Sequence, residues 1–134
     1  MCSSDLLGSE FVFSLQMQRL FGSTPAPESE LHAMWWLLCR AEGRARLPQI
    51  IQYIDERYAN TARWIPPLHR LDLPALVLWG DRDPVAVYAM AERLHREIPR
   101  ATLVRLANVG HYPMVEDPAR FVQAILGSLK TVPQ

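Results

Sequence analysis

The chain has 134 residues, of which 49% are hydrophobic, so it can bury an apolar core and is not a disordered tail. Its 14 basic and 14 acidic residues cancel and form no basic cluster, which argues against a nucleic-acid partner because such binding neutralises phosphates. The longest apolar stretch, residues 34–39, is far too short to cross a bilayer, so we predict no membrane partner.

The first residues show neither a helix nor a strand pattern. We predict no functional role for residues 1–7, which are either an artefact at the start of the sequence or a disordered terminus. No positively charged residue precedes an apolar run here, so we predict no signal peptide and expect a cytoplasmic location.

Residues 8–71 have the apolar spacing of helices. The predicted helices are, in chain order, residues 11–21, 28–42, 47–58 and 61–68. Gly22 and Gly43 are the expected ends of the first two helices, and Pro66-Pro67 is expected to break the fourth. The third helix is expected to bury the face formed by Ile50, Ile51, Ile54 and Tyr58.

Residues 72–134 follow a different pattern. Residues 75–79 form a continuous apolar run between a proline and a glycine, which is typical of a strand buried on both faces. The elements predicted after it are a helix at residues 85–98, a strand at residues 101–106 and a last helix that begins at Asp117-Pro118. An aspartate N-cap followed by proline favours a helix start. This order, with short connections, predicts a parallel βαβ unit and a covering helix.

Two parallel strands alone would leave both outer edges of their sheet unpaired, an arrangement that isolated proteins avoid. We therefore predict the α/β fold class, with these strands as the C-terminal part of a larger doubly wound parallel sheet. The expected partner is the missing N-terminal half of the same fold. A chain that lacks this half is expected to be poorly folded or self-associated.

Two loops leave the carboxyl ends of the predicted strands, where open parallel sheets carry their functional residues. The first loop contains Asp81 and Asp83, and the second contains His111. A carboxylate beside the histidine would accept its Nδ1–H, fix the tautomer and stabilise the imidazolium that forms when the ring takes a proton. The pattern predicts the acid–histidine half of a catalytic triad and leaves open which aspartate is the acid.

The same segments resemble those of a known family. Residues 74–85 (PALVLWGDRDPV) are similar to the strand and acid loop of α/β-hydrolases near the haloalkane dehalogenases and epoxide hydrolases. Residues 110–113 (GHYP) and 116–118 (EDP) resemble that family's histidine loop and final helix. Residues 53–57 and 63–64 resemble the helical cap of the mesoderm-specific-transcript-like branch.

The resemblance implies a helical cap or lid at residues 8–71, followed by the C-terminal βαβα part of the hydrolase core at residues 72–134. It implies that Asp83, third after the glycine, is the catalytic acid and that His111 is the base; their order agrees with the family. It also implies a small-molecule substrate, without an organic cofactor or a metal.

The remaining polar candidates have ordinary interpretations. Asp81 is interpreted as a solvated turn residue, and Glu116 as a charge that complements the dipole of the last helix rather than as a metal ligand. No clustered spacing of histidine, cysteine and carboxylate predicts a metal site. Three other histidines do not lie in a sequence pattern that would pair them with a catalytic partner: His32, His69 and His95.

The sequence departs from the family at the nucleophile. It contains no Gly-x-Ser-x-Gly motif and no equivalent aspartate-containing elbow, so serine and aspartate nucleophiles both stay open. The expected function is that of an α/β-hydrolase part that supplies the acid and the histidine, with a small apolar ester, epoxide or halide as the substrate of the full-length protein. This chain alone is expected to be inactive. The alternative is a non-catalytic interaction domain that retains the hydrolase fold.

Overall fold

The computed structural model describes residues 9–130, and the prediction for residues 1–7 lies outside that range. The elements of the described range are α1 (Glu10–Gln18), α2 (Glu28–Cys39), α3 (Gly43–Ile50), α4 (Tyr53–Ala59), α5 (Thr61–Leu68), β1 (Ala75–Gly80), α6 (Tyr88–Glu97), β2 (Ala101–Leu106), α7 (Pro113–Glu116) and α8 (Pro118–Lys130). None of these helices is both long enough and apolar enough to cross a membrane.

The two strands form the predicted parallel pair. Their register runs from Ala75 opposite Ala101 to Gly80 opposite Leu106. Helix α6 connects the strands and packs against both, and α8 also contacts both. At the start of α8, the backbone N–H of Arg120 donates to Asp117 Oδ1 over 2.9 Å, so the predicted aspartate cap is confirmed. Both strands end at the same edge, which brings their following loops together.

The helical half differs from its prediction at three helix ends. Helix α1 ends at Gln18 instead of residue 21, because the backbone N–H groups of residues 19–21 donate to carbonyls three residues back and form a turn. Helix α2 ends at Cys39, and a 3₁₀ turn with left-handed residues at Ala41 and Glu42 kinks the chain. Gly43 begins α3 rather than ending α2, and its hydrogen-only side chain lets the backbone pass Leu38 closely.

The predicted third helix is two helices, α3 and α4, separated at residues 51–52. Its expected buried face is exposed at Ile50, Ile51, Ile54 and Tyr58. Helix α5 runs through Pro66 and Pro67 to Leu68, so the predicted break at these prolines is wrong. The missing N–H groups fall in its last turn, and the helix ends one residue later.

An apolar cluster connects the first two helices to the C-terminal unit. Phe21, Ala26 and Leu31 are its buried members, and the residues packed against them include Tyr112 and Val115 from the segment that follows β2. The rings of Phe21 and Tyr112 lie 5.2 Å apart. Residues on both sides of the predicted boundary at residue 71 therefore share one core.

Candidate active site

Asp83 lies in the loop that leaves β1, and backbone amides fix its side chain. Its Oδ1 accepts hydrogen bonds from the N–H groups of Val85 and Ala86, each over 2.9 Å. The side chain is only 6% exposed. Because Oδ1 is held by two donors in the same loop, Oδ2 has a defined direction, towards the loop that leaves β2.

His111 lies in that second loop, and its Nδ1 is 2.8 Å from Asp83 Oδ2. A carboxylate only accepts hydrogen bonds, so the proton of this pair belongs on Nδ1, and Nε2 presents a lone pair. Nε2 forms no hydrogen bond with any residue between 9 and 130. The His111 side chain is 35% exposed, which leaves that nitrogen open to a reacting group. The structure thus brings together the two residues that the sequence singled out.

Tyr112 forms one wall beside the histidine. Its ring meets the His111 ring edge to face, with centroids 5.1 Å apart and planes at 90°. Burial, and then the negative charge of Asp83, raises the pKa of the Tyr112 phenol. The phenol therefore stays neutral at physiological pH, and it offers the histidine an apolar edge rather than a second charge.

Three glycines allow the backbone segments of the site to stack closely. A Cβ atom on Gly80 would lie 2.3 Å from Gly110 O, and one on Gly110 would lie 2.4 Å from Leu20 O. A Cβ on Gly22 would lie 2.4 Å from Asn108 O. Such distances are below any normal contact, so the end of β1, the histidine loop and the segment after α1 pack together only because these residues lack side chains.

The segment 20–23, which follows α1, pairs with the histidine loop. The backbone N–H of His111 donates to Leu20 O over 2.8 Å, and the N–H of Ser23 donates to Asn108 O over 2.9 Å. On the other side of the loop, the N–H of Arg82 donates to Val109 O over 2.8 Å. The histidine loop is therefore held between the acid loop and a segment of the helical half.

Glu116 does not play the part that the sequence suggested. It ends α7, before α8 begins, and it is 9% exposed. Its carboxylate accepts from the backbone N–H of Gly22 over 2.7 Å, of Gly110 over 2.8 Å and of Tyr112 over 3.2 Å. A buried carboxylate is satisfied by such amide donors without a metal. Glu116 thus binds both sides of the histidine rather than complementing the dipole of the last helix.

The interpretation of Asp81 as a solvated turn residue is wrong. Its side chain is 9% exposed and accepts from Arg105 Nη2 over 2.7 Å and from Arg105 Nε over 3.0 Å. Its Oδ1 accepts from the N–H of Asn108 over 2.7 Å. The hydrogen bonds from Arg105, first, and from Asn108 hold the pKa of Asp81 below its ordinary value. Asp81 connects β2 to the acid loop and does not contact His111.

Two other histidines and a groove in the helical half lie away from this pair. His32 contacts Glu10 over 2.7 Å, and His69 contacts Glu97 over 3.4 Å, both at the surface. A groove of about 710 Å³ between α1 and α2 is lined by neither Asp83 nor His111. Over the range 9–130, no three His, Cys, Asp or Glu side chains are grouped to hold a metal ion.

Two parts of the site had no signal in the amino-acid sequence. The pairing of residues 20–23 with the histidine loop joins groups far apart in the chain, such as Gly22 and Glu116, which are 94 positions apart. Glu116 lies just before the last helix, which begins with a proline, and this position alone suggested a role at the start of that helix. A buried carboxylate five residues after the histidine, beside a segment with closely packed glycines, is visible only once the loops are folded.

Known proteins are similar to this chain over most of its length. The mesoderm-specific transcript protein of Mus musculus is 33% identical over 124 residues, which cover 90% of this chain and 37% of that protein. LipZ of Mycobacterium tuberculosis is 35% identical over 119 residues, covering 87% of this chain and 41% of that protein. The crystal structure of a membrane phospholipase A, a bacterial virulence factor, superposes with a TM-score of 0.72 at 27% identity, covering 91% of this chain and 38% of that one.

This chain therefore spans less than half the length of these relatives. The family model that matches it covers residues 4–124, which include both loops that carry Asp83 and His111. The structural match also confirms the predicted α/β fold class and the partial extent of the fold. The chain belongs to the alpha/beta hydrolase family.

Proposed function

We propose that this chain supplies the acid and the base of a catalytic triad, Asp83 and His111, to a hydrolase. The hydrogen bond between His111 Nδ1 and Asp83 Oδ2, 2.8 Å long, is the observation that carries the proposal. The acid is buried, its other oxygen is held by amides, and the second ring nitrogen is open. These are the features that a general base needs in a triad.

The substrate we propose is a small, largely apolar ester, epoxide or halide. With a serine nucleophile, His111 Nε2 takes the hydroxyl proton as the oxygen attacks an ester carbonyl, and returns it to the leaving alkoxide; water then repeats the sequence. With an aspartate nucleophile, the carboxylate displaces the leaving oxygen or halide from carbon, and His111 activates the water that hydrolyses the ester intermediate. The similarity to a phospholipase A supports the ester.

We further propose that residues 8–71 include the cap and that residues 72–134 end the catalytic core. Large apolar side chains of the cap helices are exposed, which is expected of a lid that covers an apolar substrate or the rest of its own protein. The exposed members include Leu47, Ile50, Ile51, Tyr53, Ile54, Tyr58 and Trp64. Val122, Leu126 and Leu129 of α8 are exposed in the same way. The N-terminal half of the fold is the proposed cover, and self-association is the proposed outcome without it.

The test compares two histidine variants of the full-length protein that contains this chain. His111→Ala should lower kcat by roughly 10⁴- to 10⁶-fold, because the proton acceptor is lost. His95→Ala, which removes an exposed histidine of α6, should leave kcat unchanged. The assays use a short-chain p-nitrophenyl ester, an aryl epoxide and a bromoalkane.

Residues 1–134 alone should show no turnover with any of the three substrates. A His111→Ala variant of the full-length protein that folds and keeps its turnover would refute the proposed role. That result would favour a non-catalytic interaction domain. Robust hydrolysis by residues 1–134, abolished by His111→Ala, would instead show that this chain carries its own nucleophile.

A further inference from the structure

Glu116 is a buried carboxylate that the proposed chemistry does not use. It is 9% exposed, and no Lys, Arg or His within residues 9–130 forms an ion pair with it. A buried charge without a counterion is costly unless hydrogen bonds to the charged form replace those of water. All of the contacts that do so are backbone amides, and they come from two separate segments of the chain.

Two of these amides flank the histidine. Oε2 accepts from Gly110 N over 2.8 Å, and Oε1 accepts from Gly110 N over 3.0 Å and from Tyr112 N over 3.2 Å. The amide between them, that of His111, donates to Leu20 O over 2.8 Å. Three successive N–H groups around the histidine are therefore all bonded, and two of them depend on one side chain.

The third amide closes the arrangement. Gly22 N donates to Glu116 Oε2 over 2.7 Å, and Gly22 belongs to the same segment as the carbonyl of Leu20 that holds His111 N. Glu116 thus fixes the histidine loop directly and also fixes the segment that forms the other hydrogen bond to it. The amides of Val85 and Ala86 do the same for Asp83.

We propose that Glu116 is a positioning residue for the base: by binding the amides of Gly22, Gly110 and Tyr112, it sets the place of the His111 ring relative to Asp83. This role rests on the proposed function of His111. The geometry of a general base must be right within fractions of an ångström, and a displacement of about 1 Å can cost about 10²-fold in rate. A loosened loop would therefore reduce turnover while the substrate still binds.

Glu116→Gln is the sharpest substitution because it keeps the size of the side chain. One end of the new amide group is a donor, and it faces backbone donors in either orientation. The amide of Gly22 or that of Tyr112 then loses its acceptor. Glu97→Gln is the matched control, since the ion pairs that Glu97 forms within residues 9–130 are with Arg93 and His69, away from both loops.

The experiment uses the full-length protein and measures kcat, KM, melting temperature and the proton NMR resonance of His111 Nδ1–H. For Glu116→Gln we expect kcat to fall about 10- to 100-fold with KM nearly unchanged, and the resonance to broaden or move upfield. Glu97→Gln should leave kcat, KM and the His111 resonance unchanged. Glu116→Asp, which keeps the charge but shortens the side chain, should show a smaller change in the same direction and replaces Glu116→Gln if that variant does not fold.

A Glu116→Gln protein with lower melting temperature but wild-type kcat and an unchanged His111 resonance would overturn the positioning role, and would leave Glu116 as a contributor to stability alone. The proposed function fails separately, if His111→Ala keeps its turnover. Loss of turnover in His111→Ala together with wild-type turnover in Glu116→Gln refutes only the positioning role.

Discussion

The substitution Asp83→Asn in the full-length protein tests the proposed acid without changing its size. An asparagine has one accepting end and one donating end. With its oxygen at the Oδ1 position, it still accepts from the amides of Val85 and Ala86, which lie 2.9 Å away. The reverse orientation would place its NH₂ group against both amides and lose about 1 kcal/mol for each hydrogen bond. The first orientation is therefore preferred.

That orientation presents a donor to His111 where Asp83 Oδ2 now lies 2.8 Å from Nδ1. The imidazole must then present the lone pair of Nδ1 to this donor and carry its proton on Nε2. Nε2 therefore cannot accept a proton from the nucleophile or from water. In serine proteases this change lowers kcat about 10⁴-fold, equivalent to about 5.4 kcal/mol of barrier. Folding should suffer far less, because the two hydrogen bonds from Val85 and Ala86 are kept and the third forms again with the asparagine as donor.

The assay measures kcat, KM and melting temperature on whichever of the three substrate classes the protein turns over. We expect kcat to fall by about 10⁴-fold, with a small change in KM and a decrease of a few degrees in melting temperature. A loss of less than 10-fold in kcat would contradict the role of Asp83 as the acid. Equal, small losses in Asp83→Asn and Asp81→Asn would mean that the acid lies elsewhere.

Two further substitutions test the surroundings of the pair. Asp81→Asn should lower stability with little effect on kcat. Arg105 holds the pKa of Asp81 in the folded protein below the ordinary value of 3.8. The stabilisation by the Asp81 carboxylate is therefore present above pH 3.8 and is lost as the pH falls through the lower pKa of the folded protein. Urea midpoints of wild type and variant should therefore differ at pH 7, and the difference should shrink as the pH falls below 3.8. A difference that does not change with pH would contradict the ion pair. Gly110→Ala should lower the free energy of unfolding by about 1–3 kcal/mol, since the new Cβ would lie 2.4 Å from the backbone oxygen of Leu20. Gly127→Ala, with open space around its Cβ in α8, should be neutral or stabilising, and equal midpoints for the two would contradict the close packing.

The strands and the start of α8 could be predicted because their signals are local. The apolar run before Gly80 and the Asp117-Pro118 pair need only their neighbours to form a strand and a helix start. The proximity of Asp83 and His111 then follows from topology, since parallel neighbouring strands end at one edge. The parts that topology fixes were therefore accessible from the order of elements alone.

The predictions that failed concern residues whose surroundings are formed by partners far away in the sequence. Ile50, Ile51, Ile54 and Tyr58 have a helical spacing, but periodicity indicates only that a face is apolar, not what covers it. Asp81 resembled any turn aspartate until β2 brought Arg105 beside it. Glu116 was assigned by its place beside the last helix, whereas one of its three amide partners, Gly22, lies 94 residues away in the chain.

The geometry of the proposed Asp83–His111 pair also restricts the direction from which a nucleophile can approach His111. Asp83 is fixed by amides of its own loop, and His111 is fixed by Asp83, Leu20 and the amides that Glu116 binds. These groups all belong to residues 9–130, so the orientation of the imidazole is set without the nucleophile. Tyr112 packs against the ring, and Asp83 occupies the Nδ1 side. A serine oxygen, or the water that resolves an aspartyl ester, must therefore approach Nε2 from the exposed side, within a hydrogen-bond distance of about 2.6–3.2 Å.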